Sequence, residues 1–141
     1  MPDLSAALSI VGHEVTFTKT VSESDVYGFA GITGDFAPNH IDEAFMSETR
    51  YGGRIAHGVL VLGYTSTAST AMAARLGGHA VSLGYDRVRF VGAVRFGDTI
   101  TVSYTLAAVN VATSRATSDV VVTTGDGTRV LVATHILKFL D

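Results

Sequence analysis

Along residues 14–21, EVTFTKTV, the side chains Val15, Phe17 and Lys19 alternate with Thr16, Thr18 and Thr20, a period-two run of β-formers that predicts a first strand. The period then lengthens. Ser22, with Asp25 three positions on, resembles a weaker form of the capping box, and in VYGFAGI the residues Val26, Phe29 and Ala30 share one helical face. That helix is expected to stop near Gly31 to Gly34. IDEAFMSE suggests a short second helix, with Asp42 and Glu43 suited to the positive end of its dipole. After YGG at 51–53 resets the chain direction, His57 to Gly77 has the length and residue types of one long helix, closed by Gly77 and Gly78. Its apolar side chains, among them Val59, Leu62, Tyr64, Met72 and Leu76, cover nearly the whole circumference, so the helix is expected to be wrapped, not merely docked.

From residue 80 onward the texture is that of strands: AVSLGYDRVRFV, DTITVSYTLAAVNV, RATSDVVVTT and RVLVATHILKFL, separated by turns such as FGD and GDG. With the first strand they predict an antiparallel sheet of about five strands curling around the helix, an α+β fold. No linker, repeat or low-complexity tract divides residues 1–141, so one domain is expected.

Composition sharpens this. With 47% hydrophobic and 16% charged residues the chain is a densely packed globular protein. Ten Lys+Arg against 13 Asp+Glu leave a net charge of −3, so no broad positive field exists to gather nucleic acid or an anionic membrane, and any anionic ligand must be held locally. The absence of cysteine removes disulfides, thiolate zinc sites and thiol nucleophiles together. MPDLSAALSIVG lacks the basic flank and apolar run of a secretory signal, which makes a cytoplasmic location the expectation. Gly58 to Ala74 is uncharged, but Thr65, Ser66, Thr67, Ser69 and Thr70 make it too polar for lipid.

The candidate chemistry lies in GDFAPNH, residues 34–40. On a continuous helix Asp35 and His40 point roughly 140° apart, so only a bend brings them together. Gly34 and Pro38 favour such a bend, after which the acid and the imidazole share one water molecule. The plainer reading makes Asp35 a turn residue, Pro38 a helix start and His40 a hydrogen-bonded histidine at a helix end. IAHGVLVLG weighs on the other side: the unpaired backbone N–H groups at His57 and Gly58, where the long helix starts, suit a developing oxyanion. No G-x-S-x-G nucleophile elbow is present. Five histidines are, but without H-E-x-x-H, and His40 and His57 lie far apart in sequence with no clear third ligand, so no metal is expected. General acid–base chemistry on water remains: addition to a double bond, elimination, or thioester hydrolysis.

YGFAGITGDFAPNHIDEAFM, RIAHGVLVLGYTS and VRFVGAVRFGDTI, in this order and spacing, resemble the MaoC-like family of (R)-specific enoyl-CoA hydratases. The first block is similar to that family's T-G-D-x-N-P-x-H signature. The resemblance implies a hotdog fold, homodimers or higher homo-oligomers whose sheets join edge to edge, and a trans-2-enoyl thioester substrate carried by coenzyme A or acyl carrier protein. Coenzyme A is then part of the substrate, and no separate cofactor is implied. By position, Asp35 and His40 correspond to the dyad that deprotonates water for attack on C3 and protonates C2, and the Gly58 N–H to the group that holds the thioester carbonyl.

The same resemblance places Ser66 near the dyad, where its hydroxyl bonds either Asp35 or its own helix, and His57 either against substrate or packed at the helix start. Arg50, Arg54, Arg87, Arg89 and Arg95 are candidates for carrier phosphates, and Tyr27 and Phe29 for core or acyl-pocket wall. Three departures stand out: Ala37 replaces the signature's asparagine, Asn39 replaces an apolar residue, and Ala93 replaces a proline. Asn39 is expected to cap the IDEAFMSE helix. The rival readings are a hotdog thioesterase and a non-catalytic acyl-thioester-binding subunit, the latter kept open by Ala37.

Overall fold

The computed structural model describes residues 4–77 and 79–140; Gly78, half of the expected helix stop, lies outside them. A short helical turn, α1 (Ser5–Leu8), precedes the first strand, β1 (Glu14–Thr20). Three helical pieces follow, α2 (Glu23–Thr33), α3 (Pro38–Ile41) and α4 (Glu43–Ser47), and then the long helix α5 (Gly58–Arg75). The chain ends in β2 (Ala80–Phe90), β3 (Thr99–Asn110), β4 (Arg115–Thr124) and β5 (Arg129–Phe139). All strand pairs are antiparallel, in the order β1-β3-β4-β5-β2, so β1 and β2 are the edges.

Alternation along the inner strands decides which face is buried. Ile100, Val102, Tyr104 and Leu106 of β3, Val120 and Val122 of β4, and Leu131, Leu137 and Phe139 of β5 form one core with Val61, Ala68 and Met72 of α5. The buried residues of α5, Val61, Thr65, Ala68, Ser69 and Met72, follow the three-and-four spacing of one stripe. The opposite stripe, Val59, Gly63, Ser66, Thr70 and Ala74, is exposed. The sheet therefore curls over one side of the helix within this chain, and all-round burial, expected from the apolar circumference, is not what the structure has. Small residues such as Ala, Gly and Thr tolerate both environments, so their hydrophobicity overstated coverage.

Asp25 ties the segment before the site to the scaffold. Ser22 Oγ accepts from the Asp25 amide at 3.0 Å and Asp25 Oδ2 accepts from the Ser22 amide at 3.1 Å, the reciprocal box expected at this helix start. Asp25 Oδ2 also accepts from Lys19 Nζ at 2.7 Å and from the Tyr64 hydroxyl at 3.1 Å. Burial on its own raises this carboxyl, but the Lys19, Ser22 and Tyr64 donors outweigh it and hold it at about 2. One side chain thus joins α2, β1 and α5.

Beneath α5 the core contains an imidazole. His135 is fully buried, with Nδ1 2.7 Å from the Tyr104 hydroxyl, Nε2 2.7 Å from Ser82 Oγ, and its ring stacked on Tyr85 at 4.3 Å. Burial pushes it down from 6.5 to about 4. Between those values the unfolded chain binds a proton that the folded one refuses, so stability is lost as pH falls through the interval and levels off below it. The expected loss is roughly 3 kcal/mol. Urea unfolding of wild type against His135→Gln across that range isolates it: the wild-type curve falls more steeply, and parallel curves contradict the assignment. No helix among the described residues is long and apolar enough to cross a membrane.

Candidate active site

Gly34 ends α2 with φ +82, donating its N–H to Ala30 O at 2.8 Å. This left-handed turn is open to glycine at no steric cost and swings the chain off the helix axis. The Ala37 amide then donates to Asp35 Oδ1 at 3.2 Å, Pro38 opens α3, and the His40 amide donates to Ala37 O at 2.9 Å. The bend expected from GDFAPNH forms, and Asp35 Oδ2 lies 4.0 Å from His40 Nε2. The plain reading holds as well, since Asp35 makes a turn, Pro38 starts a helix and His40 is a hydrogen-bonded histidine in its last turn. The Ala37 amide on the Asp35 carboxylate, the His40 amide on Ala37 O, and Pro38 hold the loop with alanine at position 37.

His40 is buried and Asp35 is exposed, an imidazole at the floor of the site and a carboxylate at its mouth. His40 Nδ1 lies 2.8 Å from Ile55 O, and a carbonyl only accepts, which assigns the proton to Nδ1 and the lone pair to Nε2, the atom near Asp35. His57, the residue before α5, places Nε2 2.9 Å from Asp35 O and by the same logic donates to it. Its ring stacks on His40 at 3.6 Å and 24°, and Phe29 packs against it at 4.7 Å. His57 is 2% exposed. Of the two settings expected for it, packed or against substrate, the structure places it under the dyad.

Gly58 opens α5. No side chain caps this end, and the Gly58 amide has no acceptor among the described residues, so it is free for an oxygen. A Cβ at Gly58 lies 2.8 Å from the Phe90 ring, so only glycine lets Phe90 close against the helix start. Beside Gly58 and His40 opens a cavity of about 570 Å³, walled by Val61, Val94 and Val130.

Several expected roles change. Ser66 is exposed two turns further along α5, and its hydroxyl makes no hydrogen bond among the described residues, neither to Asp35 nor back to the helix. It faces away with Gly63 and Thr70, so Ser66→Ala is expected to keep kcat within about threefold of wild type in a hydration assay, since it removes no positioning contact. Asn39 does not cap α4; Asp42 does, accepting from the Phe45 amide at 2.9 Å, because Pro38 starts its own turn one step earlier and draws Asn39 into it. Arg54 is engaged by Glu23 at 2.6 Å, Glu43 at 2.8 Å and the Tyr27 hydroxyl at 2.7 Å, which ties α2 and α4 to the segment before α5 and leaves it poorly placed for phosphate.

The third ligand missing from the sequence is supplied by the fold, for ligand atoms of Asp35, His40 and His57 lie within 4.8 Å of one another. The two rings are stacked, however, and an ion ligated by imidazole lies in the ring plane. One ion cannot meet both lone pairs without breaking the stack, so the arrangement suits water better than a metal.

A curled antiparallel sheet over one long helix defines a hotdog-fold domain, and at one end of that helix an acid, an imidazole and a free helix amide come together. The chain belongs to the MaoC-like domain family, matching it over residues 7–129. It is 37% identical over 95 residues to the (R)-specific enoyl-CoA hydratase of Rhodospirillum rubrum, a stretch covering 67% of this chain and 64% of that protein. To the 3-hydroxybutyryl-CoA dehydratase of Methylorubrum extorquens it is 38% identical over 97 residues, 69% of this chain and 60% of the relative. The chain thus matches less than two thirds of the length of these relatives. The solved (R)-hydratase from A. caviae involved in PHA biosynthesis superposes with a TM-score of 0.81 at 27% identity, over 92% of this chain and 96% of that one.

Proposed function

We propose that this protein adds water across a trans-2-enoyl thioester, giving the (R)-3-hydroxyacyl thioester, and runs the reverse dehydration. The observation that carries the reading is the 4.0 Å gap between Asp35 Oδ2 and His40 Nε2 beside an unpaired Gly58 amide. A water oxygen at ordinary hydrogen-bond length, about 2.8 Å, from both atoms fits that gap. Asp35 holds one water proton by accepting a hydrogen bond; the lone pair on His40 Nε2 takes the other as oxygen bonds to C3. Electron density moves to the thioester oxygen, where the Gly58 N–H and the positive end of α5 stabilise the enolate. The proton on Nε2 then passes to C2, so one water is consumed and the dyad is restored.

A homodimer belongs to the same reading. The edge strand β2 has an unpaired side and exposes Val81, Leu83 and Phe90, with Val91 just beyond it, which suits pairing with a second copy. Purified protein mixed with short and medium trans-2-enoyl-CoA, with the conjugated absorbance and a thiol-reactive dye followed in parallel, tests the activity. Loss of absorbance with an (R) product and no free thiol is expected. Thiol release points instead to a thioesterase, and binding without loss of absorbance to a non-catalytic subunit; either outcome refutes the hydratase reading.

A further inference from the structure

The cavity beside His40 and Gly58 is walled by apolar side chains, yet it has one cation at its rim. Arg50 is the single Lys or Arg that lines it. The side chain is exposed, and among the described residues no carboxylate lies within 4.0 Å of it. It is held in place all the same: Nη2 donates to the Tyr51 hydroxyl at 2.8 Å, and the guanidinium sits 4.9 Å from the Tyr51 ring centre. Among the described residues the remaining N–H donors of the fork meet no acceptor, and they keep the planar arrangement that grips phosphate oxygens two at a time.

The other candidate arginines are placed differently. Arg54 is neutralised by Glu23 and Glu43. Arg87 and Arg89 line a separate depression on the sheet, where Arg87 donates to Thr134 Oγ1 at 3.3 Å. Arg95 borders other depressions, beside Gly52 and Glu43. With a net charge of −3 the protein repels anions at long range, so a multiply charged substrate needs one local cation on the path to the reacting carbon.

We propose that Arg50 anchors a phosphate of the substrate's pantetheine carrier, an assignment that rests on the enoyl-thioester reading above. The phosphates stand far from the carbon that reacts, so the contact is the same in ground and transition states and acts on KM, not on kcat.

The test compares wild type, Arg50→Ala, Arg50→Lys and Arg89→Ala on the same short enoyl group carried by coenzyme A, by 4′-phosphopantetheine and by pantetheine. Arg50→Ala is expected to lower kcat/KM with coenzyme A about tenfold, through KM, and to leave the pantetheine thioester unchanged. Arg50→Lys retains part of the advantage, the wild-type KM for coenzyme A rises with salt more steeply than the variant's, and Arg89→Ala behaves as wild type. A loss already present with phosphopantetheine assigns the phosphate that coenzyme A and acyl carrier protein share; a loss with coenzyme A alone assigns the nucleotide's phosphates. Equal losses on all three carriers, no loss on any, or the same loss in Arg89→Ala overturns the proposal. Calorimetric titration with free coenzyme A reads the same site without turnover. If wild type hydrates nothing, the function falls, while a tenfold weaker coenzyme A affinity in Arg50→Ala still upholds the anchor.

Discussion

Asp35→Asn and His40→Ala are each expected to lower kcat by at least about 100-fold, with thermal unfolding close to wild type for Asp35→Asn and a lower but still cooperative melt for His40→Ala, which empties a buried position. The two substitutions act differently. Asparagine keeps the size of Asp35 and can still accept the Ala37 amide, so the turn survives while the carboxylate charge that orients water is lost. Alanine at His40 removes the lone pair at Nε2, the proposed base, together with the bond from Nδ1 to Ile55 O. If both groups hold one water, as proposed, the double variant is expected to be little worse than either single one. Steady-state hydration rates with circular dichroism melts check both halves, and a single variant that keeps most of its activity rules out the dyad.

The second large effect is expected at His57, which is buried against Asp35 and His40. Its Nε2 proton fixes the Asp35 carbonyl and its ring stacks on His40, so a positioning role is the one we propose for it. His57→Leu leaves that carbonyl without a donor and frees the His40 ring; kcat is expected to fall about 10- to 100-fold with KM nearly unchanged, the scale of misplacing a reacting group by an ångström. His57→Gln, whose amide can reach the same carbonyl, should recover a good part of the loss. A melting temperature measured alongside separates repositioning from unfolding. Equal effects of leucine and glutamine, or a loss confined to KM, contradict the positioning role.

How much of this was readable from residues alone follows from the range of the interactions. The capping box at Ser22 and Asp25, the stop at Gly34 and the bend around Pro38 are local, and they appear where the sequence placed them. The strands also appear in place, because alternation needs no partner to be visible. Their order is another matter: β2 pairs with β5 and β1 with β3, contacts decided by closure of the sheet and not by any neighbouring residue. The site divides the same way. Asp35 and His40 are close in sequence, and the turn between them is local. The Ile55 carbonyl that sets the His40 tautomer and the His57 ring beneath it arrive from across the loop, so their roles were invisible beforehand. Ser66 stands apart for the converse reason: the resemblance put it near the dyad, but what a helix residue meets depends on which side the sheet covers, and Ser66 is on the exposed one.

In the proposed mechanism a single solvent molecule between Asp35 and His40 gives up both its oxygen and its proton from one side of the substrate plane. Hydration of a trans-2-enoyl thioester in D2O, with the relative configuration at C2 and C3 of the product read from proton coupling constants, tests this most directly. Delivery of deuterium and hydroxyl to the same face, in a single (R) product, is the expected result. Addition to opposite faces, or deuterium scrambled at C2, would mean that the proton comes from somewhere other than this dyad.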